Sequence, residues 1–83
     1  MYQWDESKRA SNLAKHGVDF AEAYAIDDVP VATLAQRVDE ELRLLSYVQI
    51  RGRLHALVWT ARDGTRRIIS LRKANKREVR RYG

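Results

Sequence analysis

The sequence predicts an α+β domain in which two N-terminal helices pack on an antiparallel sheet of three to four strands, followed by a short C-terminal helix. Apolar residues recur at helical spacing near the N-terminus, whereas three later stretches have the β-branched and aromatic residues typical of strands. Glycine-containing turns at residues 51–53 and 63–64 separate those stretches. This order indicates helix, helix, antiparallel meander and helix.

The first predicted helix opens at residues 5–7, continues over residues 8–15 and has a signal at each end. Asp5 and Glu6 lie at its start, where acidic groups are favourable beside the positive end of a helix. Gly17 follows it, at the position where a left-handed residue often ends a helix. His16, just before that glycine, suits the negative end when it is protonated.

A second helix is predicted directly after the first. Asp19 and Glu22 have the spacing of a capping box at its start. Phe20, Ala23 and Tyr24 supply its buried stripe, with Ile26 as a further candidate. Pro30 marks its end, because the residue before a proline avoids helical geometry.

From there on the pattern is that of strands. Residues 31–37 are predicted as a short edge strand, and residues 42–50 combine alternation with β-branched and aromatic side chains. Residues 54–61 are nearly all apolar, which predicts a central strand. Residues 66–72 form the third long strand, and residues 74–82 suit a short basic helix.

Length and composition restrict the function classes. The 83 residues suit one domain, 1–83, and the absence of cysteine excludes disulfides and thiolate metal sites. Two distant histidines offer little to a zinc ion, so we expect neither a metal site nor a cofactor. No apolar run is long enough for a membrane span, and the N-terminus lacks a signal-peptide pattern. We therefore expect a cytoplasmic protein without a membrane partner.

Charge is distributed unevenly along the chain. Residues 1–41 contain four basic and nine acidic side chains, a net charge of −5, whereas residues 42–83 contain twelve basic and two acidic ones, a net charge of +10. Such asymmetry within one domain creates a positive face that attracts a polyanion. A solubilising basic surface is the alternative interpretation.

Two blocks of residues, one at each end of the chain, form a recognisable signature. The N-terminal block consists of Trp4, Asp5, Lys8, Asn12, residues 15–18, Phe20 and Ala23. The C-terminal block consists of residues 67–70, residues 72–74, Glu78 and Tyr82. Together they resemble the BrnT family of toxins over nearly the whole chain, although the middle departs from the family's pattern, notably at Ile26 and Trp59.

The resemblance implies a RelE-like ribonuclease of a type II toxin–antitoxin system, which cleaves RNA without a metal ion and inhibits translation. It also implies a partner, a BrnA-like antitoxin of the ribbon-helix-helix type. Operator DNA would then be bound only through the antitoxin, and the two proteins would form a hetero-oligomer.

Metal-free RNA cleavage needs a base for the 2′-hydroxyl, a positive charge beside the phosphorane and an acid for the leaving oxygen. Arginine and lysine suit the second task, and histidine suits the proton transfers. The predicted catalytic residues are His16, Lys15, Arg67 and Arg72. The predicted RNA-binding residues are Lys8, Ser70, Lys73, Lys76, Arg77, Arg80 and Tyr82. We expect the first helix to lie across the meander and to bring both blocks to one face.

Several of these residues also have a purely structural interpretation. His16 can cap helix carbonyls, and the lysines of the first helix can form a solvated face. Ser70 can face solvent, and Tyr82 can anchor the last helix to the sheet. Structural roles are also predicted for residues outside the site: Asn12 bonding backbone, Glu78 in an ion pair, and Trp4 and Trp59 in the core. His55, between apolar neighbours on a strand, is left outside the predicted site.

Two further hypotheses compete with a ribonuclease toxin. A non-catalytic nucleic-acid-binding module would use the same basic half of the chain and show salt-dependent binding without cleavage. A partner-binding protein would use its positive face to receive an acidic antitoxin segment. The second of these is compatible with the toxin, because an inhibitor would cover the active face.

Overall fold

The computed structural model describes the backbone of residues 1–83 and all side chains except that of Asp28. Its elements are β1 (Tyr2–Gln3), α1 (Glu6–His16), a 3₁₀ helix (Phe20–Ala25), β2 (Ile26–Val38), β3 (Glu41–Ile50), β4 (Arg53–Arg62), β5 (Thr65–Lys73) and α2 (Lys76–Tyr82). The strands form one sheet in the order β1-β5-β4-β3-β2. The predicted α+β class is confirmed.

Helix α1 has the two ends that the sequence predicts. The Asp5 carboxylate accepts hydrogen bonds from the backbone N–H groups of Ser7 (2.8 Å) and Lys8 (3.3 Å), which otherwise have no partner in the first turn. Gly17 adopts a left-handed conformation with φ of 70° and donates its N–H to the Leu13 carbonyl. Local sequence is therefore sufficient to begin and end this helix.

A second helix follows α1, as predicted, but Phe20–Ala25 forms a 3₁₀ helix and not an α-helix. Residues three apart are eclipsed in a 3₁₀ helix, so Phe20 and Ala23 point the same way, and both are buried in the core. The prediction that Tyr24 belongs to the buried stripe is wrong, because this side chain is 62% exposed. Asp19 accepts from the Ala21 N–H as a cap, but the Glu22 side chain pairs with Arg51 instead of completing a capping box. Burial of Phe20 and Ala23 on the same side therefore favours the 3₁₀ geometry of this six-residue segment.

The sheet is larger than predicted and is mixed rather than antiparallel. It has five strands because the short β1 pairs in parallel with β5, through Tyr2 opposite Arg66 and Gln3 opposite Arg67. A strand of two residues is too short to show an alternating pattern of apolar and polar side chains, so the sequence could not predict β1. The other three strand pairs are antiparallel, as expected.

Strand β2 begins earlier and ends later than the predicted 31–37. The prediction that Pro30 marks the end of the second helix is wrong, because that helix ends at Ala25 and Pro30 lies within β2. The register with β3 shifts between Asp27 and Ala32, which places the proline at an irregularity of an edge strand. A proline is tolerated there because its missing N–H removes no regular ladder bond.

Three two-residue turns join the consecutive strands β2, β3, β4 and β5. The residues of all three turns have positive φ, the left-handed conformation. The turns at Gly52 and Gly64, both with φ of 75°, confirm the prediction. The turn between β2 and β3 was not predicted, because Asp39 (φ 51°) and Glu40 (φ 65°) occupy the left-handed positions without a glycine. A glutamate in this conformation is strained.

Both faces of the sheet bury apolar side chains. One cluster faces α1 and the 3₁₀ helix and includes Phe20, Ile68 and Leu71, with Trp4 and Trp59 packed against it. This arrangement confirms the structural interpretation of both tryptophans. The other face carries a smaller cluster of Tyr47, Leu54, Ala56 and Ala74, against which Tyr82 of α2 packs.

Helix α2 begins with a complete capping box. The Asn75 side chain accepts from the Glu78 N–H (2.8 Å), and the Glu78 carboxylate accepts from the Asn75 N–H (2.9 Å). The helix starts two residues later than the predicted 74–82. In the part of the chain that the structure describes, no helix is long and apolar enough to cross a membrane.

The Asn12 side chain attaches α1 to the edge of β5. Its amide nitrogen donates to the carbonyls of Leu71 (2.7 Å) and Val18 (3.0 Å), and its amide oxygen accepts from the Leu71 N–H (3.2 Å). The amide thus bonds both backbone groups of Leu71, as a neighbouring strand would. This confirms that Asn12, only 7% exposed, bonds the backbone.

Replacing this amide with a carboxylate is expected to destabilise the fold. Asn12→Asp removes the donor from two buried carbonyls and places an acceptor against them, which costs about 2–3 kcal/mol. Urea unfolding measures the change, and Asn75→Asp is the matched control, since aspartate serves equally well as an N-cap. Equal stability of the two variants would contradict the role assigned to Asn12.

The strained turn between β2 and β3, at Asp39 and Glu40, leads to a second prediction. Glu40→Gly is expected to stabilise the protein by about 0.5–1 kcal/mol, because glycine adopts a positive φ without steric cost. The melting temperature should rise by a few degrees. Glu41→Gly, the same change one residue later in β3, should instead be destabilising.

Candidate nucleic-acid interface

Some of the predicted site residues line a groove between α1 and β5. This α1–β5 groove has a volume of about 320 Å³ and is lined by Ser7, Lys8, Ser11, Asn12, Lys15, His16, Ile69 and Ser70. Lys8 and Lys15 are seven residues apart, close to two helical turns, so they project from the same side of α1. His16 is half-buried at the end of the helix. Four predicted site residues, Lys8, Lys15, His16 and Ser70, are therefore brought together.

A β-bulge in β5 brings two consecutive residues to the lining of this groove. Val58 pairs with Ser70, but Trp59 pairs with Ile68, so Ile69 is an extra residue in the ladder. Consecutive residues of a regular strand point to opposite faces, whereas a bulge breaks that alternation. Ile69 and Ser70 both line the groove as a result.

Asn12 contributes to the wall of the groove as well as to the fold. The Ser70 hydroxyl lies 3.4 Å from the Asn12 amide oxygen. The same amide oxygen accepts from the Leu71 backbone. The bonds that hold α1 to β5 therefore also set the position of Ser70 relative to the cationic side chains of the helix.

Arg72 lies outside the groove, in a polar network with Glu78 and Tyr47. Its two terminal nitrogens donate to the two carboxylate oxygens of Glu78 at 2.7 and 3.0 Å, and the Tyr47 hydroxyl donates to the same carboxylate at 2.5 Å. The Arg72 guanidinium is the main reason why the pKa of Glu78 falls to about 2. Burial, followed by the negative carboxylate, raises the pKa of Tyr47 to about 12.

This network confirms the structural interpretations of Glu78 and Tyr82. Glu78 is an ion-pairing residue, although its partner is Arg72 on β5 rather than a neighbour on α2. Tyr82 stacks on Tyr47, with ring centroids 4.4 Å apart and planes inclined by 20°, and so anchors α2 to the sheet. Arg72→Ala would leave a largely buried carboxylate unpaired, so it would reduce stability as well as any activity.

The remaining predicted residues lie elsewhere on the surface. Arg67 is near Asp5, whose pKa is lowered mainly by hydrogen bonds from Ser7 and only to a small extent by this arginine. Lys73 lines a second pocket, together with His55. Lys76 and Arg80 line a third, on the α2 side, and Arg77 is exposed. Of the predicted site residues on β5, Ser70 lines the α1–β5 groove, whereas Arg67, Arg72 and Lys73 do not. The structure therefore brings the two blocks together only in part.

His55 is the residue that the sequence interpretation left out and the structure places beside cationic side chains. It is 6% exposed, and its Nδ1 atom lies 2.8 Å from the Arg53 carbonyl oxygen. The available sequence signal was the position itself, since a histidine interrupts an otherwise apolar central strand.

A lysine- and histidine-lined groove on a small α+β domain with a basic C-terminal half defines a protein suited to bind a polyanion. The family model described as ribonuclease toxin, BrnT, of type II toxin-antitoxin system matches residues 4–78. The chain therefore belongs to the BrnT family, as the resemblance predicted, and is a ribonuclease toxin of such a system with an antitoxin as its partner. A search of curated proteins finds no significant match.

The Arg72–Glu78 pair predicts how stability depends on pH. Because the folded-state pKa of Glu78 lies at about 2, below the ordinary 4.5, its contribution is complete above pH 4.5 and is lost as the pH falls towards 2. Glu78→Gln should therefore reduce the free energy of unfolding near neutral pH, and its difference from the wild type should shrink over that acidic range.

Chemical denaturation at a series of pH values measures this difference. Asp19→Asn is the control for another depressed carboxyl, since Arg9 is the main reason why the pKa of Asp19 falls to about 2. The Arg9–Asp19 pair is more exposed than the Arg72–Glu78 pair, so the effect should be smaller. A difference between wild type and Glu78→Gln that stays constant from neutral to acidic pH would contradict the assignment.

Proposed function

We propose that this chain is an endoribonuclease that cleaves RNA in the α1–β5 groove without a metal ion and thereby inhibits translation. The observation that carries the proposal is the convergence of Lys8, Lys15, His16 and Ser70 on one groove in a member of a ribonuclease toxin family. The proposal includes the RelE-like fold that the resemblance implies and the cytoplasmic location expected from the sequence.

The groove offers the groups that such a cleavage requires. In the proposed reaction, the His16 imidazole takes the proton of the 2′-hydroxyl, and the 2′-oxygen attacks the adjacent phosphorus. The ammonium groups of Lys8 and Lys15 stabilise the added charge on the phosphorane. The bond to the 5′-oxygen then breaks, and this oxygen takes a proton from Lys15. The products are a 2′,3′-cyclic phosphate and a 5′-hydroxyl.

Arginines outside the groove have supporting roles in this proposal. Arg72 uses its two terminal nitrogens for Glu78, and a guanidinium has five N–H donors, so donors remain for a phosphate of the RNA. Arg67, at the other end of α1, extends the positive surface towards the helix N-terminus. The flanking RNA backbone is assigned to the remaining predicted residues: Lys73, Lys76, Arg77, Arg80 and Tyr82.

The partner that we propose is a BrnA-like antitoxin of the ribbon-helix-helix type. The toxin family implies an antitoxin. In this proposal the antitoxin covers the positive face, forms a hetero-oligomer with the toxin and supplies the contact to operator DNA.

Growth arrest on induction of this chain, relieved by co-expression of the antitoxin, is the expected result in a bacterial host.

Cleavage of RNA by the purified protein in EDTA tests the chemistry. His16→Ala should lower the cleavage rate by about 10²–10⁴-fold, the contribution of a general acid or base. Lys15→Ala should lower it as well, whereas Arg37→Gln, on the outer strand β2, should leave it nearly unchanged. End-group analysis should find 2′,3′-cyclic phosphates.

Each part of the proposal has an outcome that contradicts it. Cleavage that disappears in EDTA would refute metal independence. Full activity of both His16→Ala and Lys15→Ala would place the active site elsewhere. Salt-dependent RNA binding without any product would favour the non-catalytic binding module.

A further inference from the structure

A second pocket lies where the chain leaves the C-terminus of α1. It has a volume of about 360 Å³, and its lining includes Gly17 from the end of the helix and His55 and Lys73 from the sheet. Arg51 and Arg53, at the turn between β3 and β4, complete its cationic part. This His55 pocket is separate from the α1–β5 groove, but the two meet at consecutive residues, because His16 lines the groove.

Strand pairing places a histidine and a lysine side by side in this pocket. His55 of β4 is directly opposite Lys73 of β5, so both side chains project from the same face of the sheet. The Nδ1 atom of His55 is 2.8 Å from the Arg53 carbonyl oxygen, which can only accept, so this nitrogen carries a hydrogen. The tautomer is thereby defined, and Nε2 is the nitrogen left for a ligand.

The charges in the His55 pocket favour an anion. Among the residues that the structure describes, neither Arg53 nor Lys73 forms an ion pair. The carboxylate in the lining belongs to Glu22, and it is already paired with Arg51. Two unpaired cations therefore flank an imidazole that is itself 6% exposed.

We propose that the His55 pocket binds a phosphate group of the RNA, at a nucleotide next to the one held in the α1–β5 groove. This inference rests on the proposed ribonuclease function and adds His55 and Arg53 to the residues that contact the substrate. Continuity with the groove across His16 and Gly17 favours RNA over an acidic segment of a protein, because one strand can occupy both cavities without leaving the surface.

Phosphate binding has a specific consequence for His55. A phosphate oxygen accepts hydrogen bonds, so it bonds Nε2 only when that nitrogen also carries a proton. Bound RNA therefore makes His55 an imidazolium, with Nδ1 donating to the Arg53 carbonyl and Nε2 donating to the phosphate. A histidine with only a structural role would keep the same ring protonation with and without RNA.

Binding of a short 2′-O-methyl RNA oligonucleotide of mixed sequence tests the proposal, because this probe lacks the nucleophilic hydroxyl and is not cleaved. Lys73→Gln and Arg53→Gln, both at exposed positions, should each weaken binding by about tenfold, the loss expected for one charge-assisted contact. Each should also lower the salt dependence by about 0.7 in the log–log slope. Arg37→Gln removes the same charge on β2 and should change affinity less than about twofold.

Nitrogen NMR of the histidine rings provides a readout that does not depend on any substitution. We expect both ring nitrogens of His55 to be protonated when the oligonucleotide is bound, and His55→Gln to weaken binding in a protein whose amide spectrum shows the native fold. Wild-type affinity in Lys73→Gln and Arg53→Gln would overturn the proposal, as would a His55 ring unchanged by RNA.

The two proposals fail in different ways. Cleavage by the wild type with unaffected binding in the pocket variants would overturn the His55 pocket and leave the ribonuclease intact. Binding that depends on Lys73 and Arg53 in a protein that cleaves no RNA would support the pocket and refute the cleavage. Weakened antitoxin binding in these variants, with RNA binding unchanged, would assign the pocket to the antitoxin and overturn it as an RNA site.

Discussion

The attachment of α1 to the open edge of β5 is the interaction on which the rest of this structure depends. One side-chain amide, that of Asn12, bonds both backbone groups of Leu71 and the carbonyl of Val18. Strand β1 covers only the start of β5, so beyond it the edge has no neighbouring strand to satisfy its donors and acceptors. A helix cannot pair with that edge through its own backbone, and a side-chain amide has the donor and the acceptor that the edge requires.

This attachment also creates the functional surface. With α1 held along β5, the lysines and the histidine of the helix face a strand whose bulge turns Ser70 towards them. The Arg72–Glu78–Tyr47 network performs the corresponding task for α2 on the opposite face. The basic residues near the C-terminus are thus divided between two faces, although they are contiguous in sequence. Basic residues that are neighbours in the sequence therefore do not all belong to the same site.

Some of the basic side chains form ion pairs within the fold. Arg72 is bound to a carboxylate and Arg51 to Glu22, whereas Arg53 and Lys73 form no ion pair among the described residues. Net charge therefore predicts attraction for a polyanion but does not identify the residues that meet it. The cations with the most donors left for a phosphate are those without an ion-pair partner, and only the packing of helices and strands determines which these are.

Features set by neighbouring residues were predictable from the sequence alone: the capped α1, the glycine turns at Gly52 and Gly64, the three long strands, the family and the grouping of Lys8, Lys15 and His16. Features set by distant contacts were not. The pairing of β1 with β5, the 3₁₀ geometry favoured by packing Phe20 and Ala23, and the bulge at Ile69 depend on residues far apart in the chain. Glu78 and Arg72 are only six residues apart, but their ion pair forms because α2 packs on the sheet, where Tyr47 also bonds Glu78. Local propensity and capping act over a few residues, whereas strand pairing and core packing select between local alternatives by burying surface and satisfying backbone groups. That selection decided which of the predicted site residues share a groove.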